Sequence, residues 1–183
     1  MEKHLPDEAI AEGLIETARS LVHADKAEHS QADVRCAIST AYFAMYHALA
    51  RMSANGLVGS DRTTRANKAW VEVYRGLAHG VCKDSCKKAV KIAFPEELKF
   101  FASNFVTLQT CRKRADYDPV CRPSVDEASQ LIEVAALSIE LLGGVDDASK
   151  TAFATWVLIS SPGAKAARTV VSENNGRSLG LGA

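Results

Sequence analysis

Apolar residues recur at intervals of three and four along nearly the whole chain, and no stretch holds the strict alternation of a half-buried strand. The first such run covers about 6–24, with Ile10, Leu14, Ala18 and Leu21 on one face. Pro6 suits a first helical turn, and Asp7 and Glu8 complement the helix dipole there. The second run, about 30–53, carries two parallel stripes. One is Ala37, Ala41, Ala44 and Ala48; the other is Ile38, Tyr42, Met45 and Leu49. Alanines admit a close neighbouring backbone, while the larger stripe fills the core beside it. Ser30 is placed to cap this helix with Asp33 in its first turn, and Asn55-Gly56 is expected to end it.

A third helix is predicted from Ser60 through Trp70, Val73, Tyr74 and Leu77 to Cys86, with a break near Gly80. Phe94-Pro95-Glu96-Glu97 opens a fourth, whose face is Leu98, Phe101, Phe105 and Leu108. It should stop near Asp118-Pro119, because a residue before proline leaves the helical region. Ser124 and Glu127 form a capping box for a fifth, with Val125, Ala128, Ile132, Ala135, Ile139 and Leu142 in register and Gly143-Gly144 as its stop. A short last helix, about 146–159, presents Ala152, Phe153, Trp156 and Val157. Beyond Pro162 the chain is small and polar, and reads as a mobile tail. The expectation is an all-α, up-and-down bundle of four to five main helices with a short C-terminal helix, spanning 1–160, followed by a flexible tail over 161–183.

Length and composition fit one domain: 183 residues, 47% hydrophobic and 24% charged. The start lacks a signal-peptide pattern, and the best uncharged apolar run, 152–159, is far short of the ~20 residues that span a bilayer. Five cysteines without paired short spacings read as reduced thiols. The expected setting is cytoplasmic, with no membrane. Formal charge is zero but unevenly spread. Residues 1–34 hold three Lys/Arg against eight Asp/Glu, and residues 75–122 hold ten against five. That polarity suits an acidic partner such as RNA, self-association between unlike faces, or simply a solvated basic surface.

Two segments carry a resemblance. Arg35-Cys36-Ala37-Ile38-Ser39-Thr40-Ala41-Tyr42-Phe43-Ala44-Met45-Tyr46-His47-Ala48-Leu49 is similar to the second helix of small bacterial members of the HEPN superfamily, with an aromatic pair, a small residue and an aromatic-His. Arg112-Lys113-Arg114-Ala115-Asp116-Tyr117-Asp118-Pro119 resembles the Arg-x-x-Ala-Asp-Tyr-Asp motif of that branch. The resemblance covers roughly 8–160. It implies a helical bundle that often forms homodimers and is often found beside a nucleotidyltransferase-like protein. It also implies RNA as target, bound or weakly cleaved as by a metal-independent ribonuclease, in a toxin-antitoxin or defence-type system. The alternative is a catalytically silent module that holds itself and a nucleotidyltransferase-like partner.

The chain departs from the nuclease pattern of Arg followed within a few residues by His. All five histidines precede residue 80, and Asp116 stands where that histidine is expected. Asp is a poor general acid near neutrality, with an unperturbed pKa of about 3.9.

The candidate catalytic set is Arg112, Asp116 and Tyr117. Arg112 would stabilise phosphorane-like charge, and Asp116 or Tyr117 would orient a ribose hydroxyl or relay a proton. Against this stands a structural role, with Asp116 holding Arg112 or Arg114 and Tyr117 filling the core. Arg75 and His79, four apart, form a second candidate for phosphate binding and proton transfer; Lys83, Lys87 and Arg114 would extend a cationic track for nucleic acid. The simpler reading is a half-exposed polar stripe. Tyr42, Phe43, Tyr46 and His47 would stack bases if exposed, but on an apolar helix they are expected to be core. His79, Cys82 and Cys86 share a helical face, yet Cys111 and Cys121 complete no recognisable zinc spacing, and neither a metal nor a cofactor is expected. No phosphate-cradling glycine loop, nucleophile elbow or His-Glu-x-x-His helix is present.

Overall fold

A computed structural model describes residues 9–23 and 29–159 of the chain. Among the described residues seven helices and no strand occur: α1 (Ile10–Leu21), α2 (Gln31–Val58), α3 (Asn67–Arg75), α4 (His79–Ala89), α5 (Glu96–Tyr117), α6 (Val125–Gly144) and α7 (Asp147–Leu158). The predicted apolar faces explain the packing. Both stripes of α2 are buried along their length, so this helix is the axis of the molecule. Helices α1, α5 and α6 surround it, α3 packs on α2, α4 packs on α5, and α7 lies across α2 and α4.

Side-chain ties give the directions. Arg35 at the start of α2 donates to the carbonyls of Ala115 and Asp118 at the end of α5, so these two helices run antiparallel. Arg51 late in α2 reaches Glu12 early in α1 at 2.5 Å, which sets the same relation there. Capping boxes start α2 (Ser30 with Asp33) and α6 (Ser124 with Glu127), and Asp146 caps α7. A cap of this kind contributes about 1 kcal/mol.

Glycine misleads at two places. Helix α2 does not end at Asn55-Gly56 but continues to Val58, and Gly59, at φ 108°, ends it. Gly56 instead lets α7 approach: a Cβ there would stand 3.4 Å from Thr151 Cα, and Thr151 Oγ1 donates to the Gly56 carbonyl. The expected third helix is two helices, and its break falls at residues 76–78 rather than at Gly80, which sits inside the first turn of α4. Residues 60–66 are not helical.

The last helix docks as its pattern implies. Phe153 and Val157 are buried, and Trp156 donates its indole N–H to the Ser85 carbonyl in α4. Ala152, expected on the same face, is exposed. No single helix among the described residues is long and apolar enough to cross a membrane. Pro6, Asp7, Glu8 and the expected tail beyond Pro162 lie outside the described residues.

Candidate functional site: a cation and histidine cluster where α4 and α5 meet α2

Arg112 sits on the face of α5 turned toward α2. Its guanidinium carbon lies 5.2 Å from the Phe43 ring centroid, 5.9 Å from Tyr42 and 5.6 Å from Tyr117. One turn on, Asp116 Oδ2 is 2.5 Å from Arg112 Nε. The Nε atom is buried and makes no well-aligned hydrogen bond, so the pair is an ionic contact rather than a directed one. Both side chains keep about a fifth of their surface, 20% and 22%. Ser39 Oγ approaches Asp116 at 3.5 Å. Three residues that the sequence grouped are thus together at the end of α5. Tyr117, however, does not fill the core: it is 72% exposed.

His79 reaches the same place from α4. Its ring stacks on Tyr46 with centroids 4.2 Å apart and meets Phe43 edge-on at 6.1 Å. Its Nδ1 is 2.6 Å from the buried Tyr42 hydroxyl. Burial and, after it, the nearby Arg112 charge push the His79 pKa down, while burial pushes the Tyr42 phenol up. At neutral pH both are therefore uncharged.

Gln109, 2% exposed, sits beneath this junction and donates to the His79 carbonyl at 2.8 Å and to the Tyr42 oxygen at 3.4 Å. Gln109 thus donates to the Tyr42 oxygen, and the phenol shares its short hydrogen bond with His79 Nδ1.

A second tyrosine-histidine bond lies alongside: Tyr74 in α3 meets His47 Nδ1 at 2.6 Å. Burial and then the neighbouring His79 push the His47 pKa down. Tyr46 lies between the two histidines, stacked on His79 and edge-on to His47. Tyr42, Phe43, Tyr46 and His47 are thus a half-buried seam holding α3 and α4 to α2, not an open stacking surface.

Lys83 extends the cluster. It donates to Thr110 on α5 at 3.0 Å, and burial, then Lys87 and Lys113, push its pKa down. Cations from α4 and α5 thus share one face. Two expected members are elsewhere. Arg114 lines a cleft of about 80 Å³ with Cys111, Cys121 and Glu127, on the side toward α6. Arg75 ends α3, and the break after it destroys the helical pairing with His79.

No family model, curated protein or solved structure matches this chain.

Cys82 and Cys86 are fully buried; burial pushes Cys82 up to about 12 and Cys86 upward as well, so both are thiols packed in the core. Among the described residues no group of three or more His, Cys, Asp or Glu stands in position to hold a metal. A larger cleft, about 480 Å³, lies between α2, α6 and α7, away from this cluster. Its cations are already engaged, Arg51 by Glu12 and Lys150 by the Gly143 carbonyl.

The reading from sequence missed Gln109, Lys113 and the bond between Tyr42 and His79. Gln109 carried a signal: it follows Phe105 by one turn, a polar residue beside the apolar stripe of α5. Inside the fold its N–H edge is satisfied by the His79 carbonyl and the Tyr42 oxygen, while its Oε1 is buried without a partner.

Proposed function

We propose that this chain binds RNA through the face formed by α4 and the C-terminal half of α5, and that it holds the RNA without cutting it. The observation that supports this is the meeting of Lys83 and Lys113 where α4 packs on α5, with Lys83 held to Thr110, within a stretch holding ten Lys/Arg against five Asp/Glu. Two lysines drawn together at a cost to one another are an arrangement that a polyanion relieves, and the neutral His79 and the Asp116-paired Arg112 lie beside them. The resemblance of the α2 and α5 segments to small bacterial HEPN proteins points toward the same target.

Binding is preferred here over cleavage because His79 Nδ1 is already engaged by the Tyr42 phenol. In the proposed arrangement the phenol donates to Nδ1, and Nε2–H donates to a phosphate rather than deprotonating a ribose hydroxyl. Asp116 is spent on Arg112, 2.5 Å away.

A second reading rests on that same pair. A guanidinium already taken by Asp116 and three rings is a fixed structural part, as in a silent module that pairs with itself or with a nucleotidyltransferase-like protein. Anisotropy of a labelled RNA at increasing salt separates the two. The RNA reading expects binding at low salt that weakens steeply as salt rises, with the RNA recovered intact. Absence of binding at low salt would leave the module reading in possession.

A further inference from the structure

We infer that the RNA recognised at this face carries an unpaired base, which stacks on Tyr117; the inference rests on the RNA-binding reading. Tyr117 is the last residue of α5 and is 72% exposed, next to Val120 at 81%. A tyrosine so far out of the core contributes little to the fold, since its apolar ring remains in water. The ring is nevertheless firmly rooted. Arg35 holds the helix end through the Ala115 and Asp118 carbonyls, and Asp118 Oδ1 accepts the Val120 N–H at 3.0 Å, so the turn after the ring is closed. The Arg112 guanidinium lies 5.6 Å from the ring centroid, which steadies its orientation.

Lys113 stands four residues before Tyr117, so on α5 the two share a face about one turn apart. Lys113 in turn is close enough to Lys83 for their charges to repel. A ring with a free surface, Lys113 one helical turn behind it, and Lys83 of α4 near Lys113 and bonded to Thr110 match a nucleotide whose base lies on the tyrosine and whose flanking phosphates lie on the lysines. A duplex cannot use this arrangement. Its bases are stacked on one another inside the helix, and the A-form major groove is too narrow for side chains to enter. A loop, a bulge or a single strand offers the base that the ring requires.

The test compares a fluorescently labelled single-stranded RNA with a blunt hairpin duplex of the same length, both titrated with the intact protein at low salt. The single strand should bind about tenfold more tightly than the duplex. Tyr117→Ala should lower single-strand affinity by about tenfold and leave duplex affinity and melting temperature unchanged, while Tyr117→Phe should retain single-strand binding. A 2-aminopurine in the single strand should be quenched by the wild type and not by Tyr117→Ala. Equal affinity for both RNAs, indifferent to Tyr117→Ala, would overturn the inference and leave RNA binding standing. Binding of neither RNA would overturn both.

Discussion

The side chains around His79 are ordered by hydrogen-bond donors rather than by charge. Gln109 turns its N–H edge toward Tyr42 and the His79 carbonyl, and in the proposed arrangement the phenol hydrogen goes to imidazole Nδ1. Nitrogen NMR of the folded protein at neutral pH should therefore show His79 as the Nε2–H tautomer. Tyr42→Phe, which removes the phenol, should give a mixture of tautomers and lower stability by about 1 kcal/mol. An Nδ1–H signal in the wild type would contradict the assignment. Arg112 is a second residue with a definite expectation. Its ion pair and ring contacts are mostly sheltered, so Arg112→Ala should cost about 2 kcal/mol and lower the melting temperature. An unchanged melting temperature would show that the pair holds nothing. The cluster of Arg112, Asp116 and Tyr117 was legible in the sequence because i,i+4 spacing on one helix is local. The bond between Tyr42 and His79 was not, because it joins α2 to α4 across 37 positions.

At the scale of elements, the ties of α3 and of α4 to α2 run through two neutral histidines. His47 and His79 each have pKa values lowered from an ordinary 6.5, chiefly by burial. As pH falls, the unfolded chain takes up these protons before the folded one does. The stability contributed by the two neutral rings is therefore complete above about pH 6.5 and is lost as pH drops below it toward the folded-state values. Melting temperature should be level between pH 7 and 8 and decline from pH 6.5 to 5, with exchange of the α3 and α4 amides rising first. A profile flat down to pH 5 would contradict the role given to the histidines.

The helices themselves were legible wherever a cap and an apolar stripe agreed, as at Ser30 and Ser124. They were illegible where glycine serves packing instead of termination. Gly56 continues α2 because Thr151 of α7 needs the room, a demand set 95 positions away. The break before α4 lacks a proline and falls at residues 76–78, while Gly80 is helical.

At the scale of the whole molecule, the apolar pattern sufficed for an all-helical bundle around α2, because burial of a 28-residue helix with two stripes dictates helices on several sides. Charge asymmetry was legible as composition, but its arrangement was not: Lys83 and Lys113 meet only after α4 folds onto α5, and Arg114 turns away toward α6. Pairing of two copies is also proposed for the bundle. Sedimentation at micromolar concentration should show a dimer, and a strictly monomeric species would remove the proposal without touching the fold. RNA binding is assigned to the face between α4 and α5. The measurement that addresses it most directly is the salt dependence of affinity for a single-stranded RNA, in the wild type and in a Lys83→Ala, Lys113→Ala double variant of unchanged melting temperature. Loss of two phosphate contacts should make the slope of log affinity against log salt shallower by about 1.4. An identical slope in the two proteins, or no RNA bound by the wild type at low salt, would contradict it.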